Sequence, residues 1–190
     1  MGLLSRIGIG RANHSDFDHH ASALEETLPP KIAGRPLAKW SVSGAEFWRA
    51  VGRKPNASAL AELETLGLGR DDMQMAAAGR ADTRRDPPYL VWGVTFGNLT
   101  GAPLRGAFPM HLAMTVMRVD THRGEGLKER VIAERQVLVG DEQMVNQNNF
   151  HRGRPYVYFT HSAIYAVIAE DELWAAEAIR SLPRMRDSNR

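Results

Sequence analysis

The chain of 190 residues contains no cysteine. This absence excludes disulfide bonds, thiolate metal sites and cysteine nucleophiles, and it is compatible with a reducing compartment. The amino-terminal stretch, MGLLSRIGIGRANHSD, also lacks a continuous apolar run, because Arg6 and Arg11 interrupt it. A secretory signal or a membrane span needs a longer unbroken apolar segment, so the sequence predicts a cytoplasmic protein with no membrane partner.

A large excess of charge of one sign is absent as well. Lysine plus arginine number 24 and aspartate plus glutamate 22, which gives a formal net charge of +2. So small a charge creates no strong global field, and the arginines are scattered along the chain, so the composition disfavours a nucleic-acid partner. Hydrophobic residues make up 43% of the chain, an ordinary share for a globular protein that buries its own core.

The pattern of polar and apolar residues predicts one domain. Residues 1–27 are typical of a flexible N-terminal extension, 28–183 of a single domain and 184–190 of a flexible tail. Within the domain, the expected strands are 34–43, 71–78, 89–96, 130–139, 142–146, 155–159 and 163–169. The expected helices are 44–51, 57–66, 109–119 and 171–182.

This order of segments favours an α+β fold. Runs of adjacent strands with helices between them predict a mostly antiparallel or mixed sheet with helices packed on one face. The segments 130–139 and 142–146 are expected to pair with each other around Gly140 and Asp141.

Two stretches carry a resemblance to known proteins: LPPKIAGRPLAKWSVSGAEF near the start of the domain and YVYFTHSAIYAVIAEDELWAAEAIRSLP at its end. They resemble a group of uncharacterised bacterial α+β proteins, in which a proline-glycine entry precedes the first strand and an apolar hairpin leads into an acid-capped helix. The resemblance implies the same fold class. It carries no established activity with it.

Four residues near the end of the domain are candidates for a ligand or partner surface: His151, Tyr156, Tyr158 and His161. The strand that begins at Arg152 and ends at Phe159 shares a basic residue, a glycine and aromatics with strands that stack nucleic-acid bases. Strand alternation places Tyr156 and Tyr158 on one face, which is either a wet sheet surface or a contact with a helix. Ordinary packing is the favoured interpretation of these tyrosines.

A catalytic site is the second hypothesis. Three histidines and four carboxylates are its candidates: His111, His151, His161, Asp71, Asp72, Glu170 and Asp171. The nucleophile elbow, the phosphate-binding loop and the zinc-protease motif are all absent from the sequence. Glu170 and Asp171 are better explained as favourable charges at a helix amino terminus.

A metal site is the third hypothesis. The candidates crowd into a short segment before the domain: His14, Asp16, Asp18, His19 and His20. Imidazole and carboxylate groups are ordinary ligands of zinc and similar ions. However, this spacing has no known rigid frame, so a solvated tail without a metal is the expected state.

The sequence therefore predicts a soluble α+β protein that acts by binding or assembly, without intrinsic catalysis and without a cofactor. The expected partners are further copies of the chain or another protein. One alternative is an enzyme or small-ligand domain that uses His151 or His161 in a pocket. Another is binding of RNA or DNA through the strand that begins at Arg152.

Overall fold

The computed structural model of the chain describes residues 19–51, 57–79, 90–117, 119, 126–146 and 151–184. Six helices are found there: α1 (Ser22–Glu26), α2 (Ala45–Val51), α3 (Ala57–Thr65), α4 (Gly101–Leu104), α5 (Ala107–Val116) and α6 (Glu172–Ser181). None of these six is long and apolar enough to cross a membrane.

The same residues form ten strands, which occur in runs of three, two and five between the helices. They are β1 (Lys31–Ile32), β2 (Arg35–Pro36), β3 (Ala38–Ser43), β4 (Met73–Gly79), β5 (Leu90–Phe96), β6 (Lys128–Ile132), β7 (Arg135–Val139), β8 (Gln143–Asn146), β9 (His151–Phe159) and β10 (Ile164–Ala169).

The main sheet runs in the order β3-β4-β5-β10-β9-β7-β6, and β8 pairs with β9 outside this path. All the neighbouring strands pair antiparallel. Strands β1 and β2 form a separate two-stranded hairpin. The expected α+β class with a mostly antiparallel sheet is confirmed.

Helices cover both faces of this sheet. Apolar side chains of α2, α3, α4 and α5 pack on one face, the α5 face, and those of α1 and α6 pack on the other, the α6 face. In β10, Ile164 and Ala166 point to the α5 face, whereas Tyr165 and Val167 point to the α6 face, and all four are buried. Such a continuous apolar run is typical of a strand covered on both sides. The sequence predicted only one helical layer, and the structure adds a second.

Helix α6 forms where the sequence predicts it. Asp171 is the N-cap, and its Oδ1 accepts a hydrogen bond of 2.8 Å from the backbone N–H of Leu173. Ala175, Ala178 and Ile179 are buried, and their spacing of three and four residues puts them on the one side that faces the sheet. The same spacing turns Leu173 toward solvent, where 76% of it is exposed.

The packed part of the chain begins earlier than expected. Residues 19–27 fall within the predicted flexible extension, yet they contain α1, and Ala21 and Leu24 are buried on the α6 face. Leu24 stands out as apolar in this polar stretch of the sequence, whereas a residue as small as Ala21 does not. The rest of the predicted extension, 1–18, and residues 185–190 of the predicted tail lie outside the described residues.

The predicted hairpin between 130–139 and 142–146 is wrong. Leu138 pairs with Val157 and Gln143 pairs with Gly153, so β7 and β8 both run antiparallel to β9 along the same edge. The segment 130–139 is itself a hairpin, formed by β6 and β7. Gly140 and Asp141 do not form a turn here, because the chain continues in the same direction from β7 to β8.

Candidate functional site

His151 and His161 lie at opposite ends of β9. His151 is the first residue of this nine-residue strand, and His161 follows its end in the turn to β10. At about 3.3 Å per residue, the two positions are roughly 25 Å apart or more. His161 is exposed, and its carbonyl oxygen accepts a hydrogen bond of 2.8 Å from the N–H of Gly101, whereas the side chain of His151 lies outside the described residues. The structure does not bring these two histidines together.

Tyr156 and Tyr158 share the α6 face, as strand alternation predicts, and both are buried there. The hydroxyl of Tyr158 donates a hydrogen bond of 3.1 Å to the carbonyl oxygen of Pro183, and the guanidinium of Arg135 lies 5.1 Å from its ring centroid. Of the two alternatives left open by the sequence, contact with a helix is the one observed. Because the rings are covered, neither is placed to stack on a nucleic-acid base.

A cluster of charged groups surrounds Tyr156 at the start of α6. Burial is the main cause that raises the pKa of the Tyr156 phenol, and the negative charge of Glu172 raises it further, while Arg154 and Arg130 act in the opposite direction. Arg130 also donates to Glu172 at 2.9 Å. Arginines and carboxylates offset each other in this cluster, so it presents no surface of one sign.

Two of the four candidate catalytic carboxylates accept hydrogen bonds from the backbone. Oδ2 of Asp72 accepts a hydrogen bond of 2.6 Å from the N–H of Gly69, and Asp171 caps α6. Asp71 is exposed and lies 3.6 Å from Arg70. Glu170 is exposed at the end of β10, and His111 is exposed on α5. Asp72 and Asp171 thus cap a turn and a helix, and none of the described contacts of the four carboxylates is with a candidate histidine.

Two of the five candidate metal ligands fall within the described residues. Nδ1 of His19 lies 2.8 Å from a carboxylate oxygen of Glu25, and Nδ1 of His20 bonds to Glu46 on α2. His14, Asp16 and Asp18 are outside the described part of the chain. Within that part, no group of three or more histidine, aspartate or glutamate side chains could hold a metal ion.

One surface was not anticipated from the sequence: the outer edge of β6. This strand is last in the sheet order, and no other described strand pairs with its outer edge. Its first four residues are exposed, and only Ile132 is buried. Val131 faces away from Ile132, and 72% of it is exposed. An uncovered edge presents unpaired N–H and C=O groups to another strand.

The register of the β6–β7 hairpin decides which backbone groups point outward. Ile132 pairs with Arg135 across a two-residue turn, in which Ala133 and Glu134 have φ values of 51° and 63°. The residues that flank such a turn form a hydrogen-bonded pair, and pairs alternate along an antiparallel ladder. Val131 and Glu129 therefore direct their N–H and C=O groups to the open edge.

The edge of β3 differs, because the chain itself partly covers it. His19 pairs with Ser41 in parallel, and the N–H of His20 donates 3.2 Å to the carbonyl oxygen of Ser41. The hydroxyl oxygen of Ser41 accepts a further hydrogen bond of 2.9 Å from the N–H of Ala21. Of the two strands at the ends of the main sheet order, β3 and β6, β6 is thus the more accessible.

The fold and its surfaces were compared with known proteins. No family model, no curated protein and no solved structure matches the chain. Function is therefore inferred from the residues and contacts of the chain itself.

Proposed function

We propose that the protein functions by self-assembly, in which the open edge of β6 pairs with β6 of a second copy. The observation that carries the proposal is the accessible edge itself, with the outward backbone groups of Val131 and Glu129. Pairing continues the antiparallel sheet across the two copies and satisfies these groups. No catalytic step is involved.

Apolar side chains beside the edge support the same proposal. Val131 is one of three large hydrophobic residues that stand out as exposed among the described residues, and the other two, Leu60 and Leu173, lie on helices. The partly buried Leu127 and Leu138 extend the apolar surface on the α5 face next to Val131. Burying Val131 of both copies contributes about 2 kcal/mol to the free energy of association. A stable dimer therefore also needs the contributions of the backbone hydrogen bonds and of Leu127 and Leu138.

The alternatives receive less support from the geometry. In an enzyme or small-ligand domain that uses His151 or His161 in a pocket, either histidine would have to act without the other, because they lie at opposite ends of β9. Binding of RNA or DNA through Tyr156 and Tyr158 requires rings that are now covered by α6 and its surroundings.

The test is the molecular mass in solution, measured by sedimentation equilibrium over the micromolar range. We expect the wild-type chain to form a dimer, and we expect Val131→Lys to shift it to monomer, because a lysine there places like charges at the seam. Leu173→Lys is the matched control, since it changes an equally exposed apolar residue on α6 and should leave the dimer intact.

Circular dichroism should show that both variants are folded, because neither residue is buried. A monomeric wild-type chain, or a Val131→Lys variant that dimerises as well as the wild type, would refute the proposal.

A further inference from the structure

We infer that the two copies meet at a two-fold axis at Val131. Val131 of one copy then lies directly opposite Val131 of the other. This inference rests on the proposed self-assembly and specifies its register. Three properties of β6 determine this register: the face that each side chain occupies, the direction of the backbone groups, and the charges of the strand.

Symmetry limits the choice of register. Two antiparallel edges related by a two-fold axis perpendicular to the sheet keep the same face upward in both copies. A residue can then lie opposite only a residue from its own face, and alternate residues of a strand share a face. The axis must therefore coincide with a single residue of β6, and the interior candidates are Glu129, Arg130 and Val131.

Charge separates the three candidates. An axis at Glu129 places the Glu129 carboxylates of the two copies opposite each other, and it places Lys128 of each copy opposite Arg130 of the other. An axis at Arg130 places two guanidinium groups opposite each other. Like charges directly opposite destabilise an antiparallel pair.

An axis at Val131 avoids these conflicts. It places two exposed valine side chains together, and it brings Lys128 of each copy near Glu134 of the other. Arg130 then lies opposite Ile132 and keeps its ion pair with Glu172, in which Nη1 of Arg130 lies 2.9 Å from Oε2 of Glu172. Charged residues on an edge strand commonly block pairing with wrong partners, and here their order leaves one favourable register.

The direction of the backbone groups agrees with this choice. Because Val131 directs both its N–H and its C=O outward, two facing Val131 residues can exchange two hydrogen bonds. The Cα atoms of such a pair lie about 5.5 Å apart. This separation falls within the range of roughly 4.4–6.8 Å over which two cysteines form a disulfide.

The absence of native cysteine makes disulfide crosslinking a direct test of the register. Val131→Cys, Arg130→Cys and Leu173→Cys are oxidised under identical mild conditions, and the disulfide-linked dimer is measured on non-reducing gels. We expect Val131→Cys to crosslink, and we expect Arg130→Cys and Leu173→Cys to remain largely unlinked.

The other outcomes separate the inference from the proposed function. Crosslinking of Arg130→Cys without Val131→Cys would overturn the register and leave assembly through β6 intact. Sedimentation of the wild type as a dimer without crosslinks at either position would also overturn the register. A monomeric wild type would refute both the proposed self-assembly and its register.

Exchange of charges gives a second test that does not depend on cysteine chemistry. Lys128→Glu and Glu134→Lys should each weaken dimerisation about five- to tenfold, because each change turns two attractive pairs into repulsive ones. The double variant restores opposite charges across the axis, so its dissociation constant should return to within about twofold of the wild-type value. A double variant that dimerises no better than the weaker single variant would contradict the register.

Discussion

Gly140 lies between β7 and β8 and faces Pro155 of β9. Its N–H donates a hydrogen bond of 3.0 Å to the carbonyl oxygen of Pro155. A Cβ atom added at this position would lie 2.8 Å from Cγ of Pro155 and 3.1 Å from Cδ2 of Leu127. A rigid proline ring cannot turn away from such a contact. The glycine is therefore required for close approach, and the continuing ladder shows that it does not form a turn.

Gly140→Ala should lower the free energy of unfolding by about 1–3 kcal/mol, because the added methyl group forces the two strands apart. Gly69→Ala is the matched control: its Cβ would lie at an ordinary 3.4 Å from Asp72, and its backbone has no positive φ. The control should be neutral or slightly stabilising. Chemical denaturation of both variants provides the measurement, and equal effects would refute the steric explanation.

At the residue scale, the sequence predicted correctly which side chains share a face of the sheet. It did not predict which elements cover that face. Strand alternation placed Tyr156 and Tyr158 together, and it is correct. Their burial depends on the layer that contains α6, which folds back over β10, the neighbour of β9, from the end of the chain. The separation of His151 from His161 likewise depends on the extent of β9, which begins four residues before the predicted strand.

Helix α6 is held at its carboxyl end by a single arginine from the β6–β7 hairpin. Arg135 donates to the carbonyl oxygens of Leu182 at 2.8 Å, Arg180 at 3.1 Å and Pro183 at 3.3 Å. The last carbonyl groups of a helix have no partners within the helix, so an external cation stabilises them. The β1–β2 hairpin adds a contact nearer the middle of α6, where the N–H of Ala33 donates a hydrogen bond of 3.0 Å to Oε2 of Glu177.

Arg135→Lys should lower the free energy of unfolding by about 1–2 kcal/mol, because lysine keeps the charge but cannot present the forked donors. Arg130→Lys is a suitable comparison, since its ion pair with Glu172 is exposed on both sides and should contribute less than about 0.5 kcal/mol.

Both substitutions are best measured in the Val131→Lys background, which removes any contribution of self-association to the apparent stability. A loss for Arg130→Lys as large as that for Arg135→Lys would contradict the assigned role of Arg135.

At the element scale, local signals predicted α6 and β10 well and missed the turn of the β6–β7 hairpin. A two-residue turn of this kind favours Asn-Gly, whereas Ala133 and Glu134 occupy it here with positive φ. Nothing in this dipeptide marks a turn, so 130–139 was predicted as one strand. Because this turn was not predicted, β6 was not recognised as a separate edge strand. The proposed function depends on the open edge of that strand.

Three ionisable groups on the α6 face make the whole molecule sensitive to alkaline pH. Burial raises the pKa of Tyr165, whose hydroxyl lies 2.9 Å from Oγ1 of Thr27, and burial also raises the pKa of Tyr156. Burial lowers the pKa of Lys39, which donates to the carbonyl oxygens of Glu25 and Leu28. The phenols and the amine therefore act on stability in opposite directions.

For the phenols, the folded state keeps its proton at a pH where the unfolded state has lost it. Their contribution is present below the ordinary tyrosine pKa of 10.0 and is lost as pH rises through the higher folded pKa. For Lys39, the penalty of burying the charge is present at low pH and disappears as pH rises toward the ordinary value of 10.5.

Tyr165→Phe isolates the phenol contribution. We expect the free energy of unfolding of the wild type to fall more steeply above about pH 10 than that of the variant. Denaturant titrations between neutral pH and this range, again in the Val131→Lys background, provide the measurement. Parallel pH profiles for the two proteins would contradict the assignment to Tyr165.

The pairing of β5 with β10 also sets the order in which the chain can fold. Strands β3, β4 and β5 form one antiparallel unit, and β6, β7, β9 and β10 form another, each from strands consecutive or nearly so in the chain. Among the described strands, only the β5–β10 ladder joins them, and it pairs Val94 with Ile164, 70 positions later. Closing so long a loop carries an entropic cost that local hairpins avoid. The two units are thus expected to acquire structure early, and docking of β10 against β5, with Tyr165 over Gly93, becomes the slow step that completes the core.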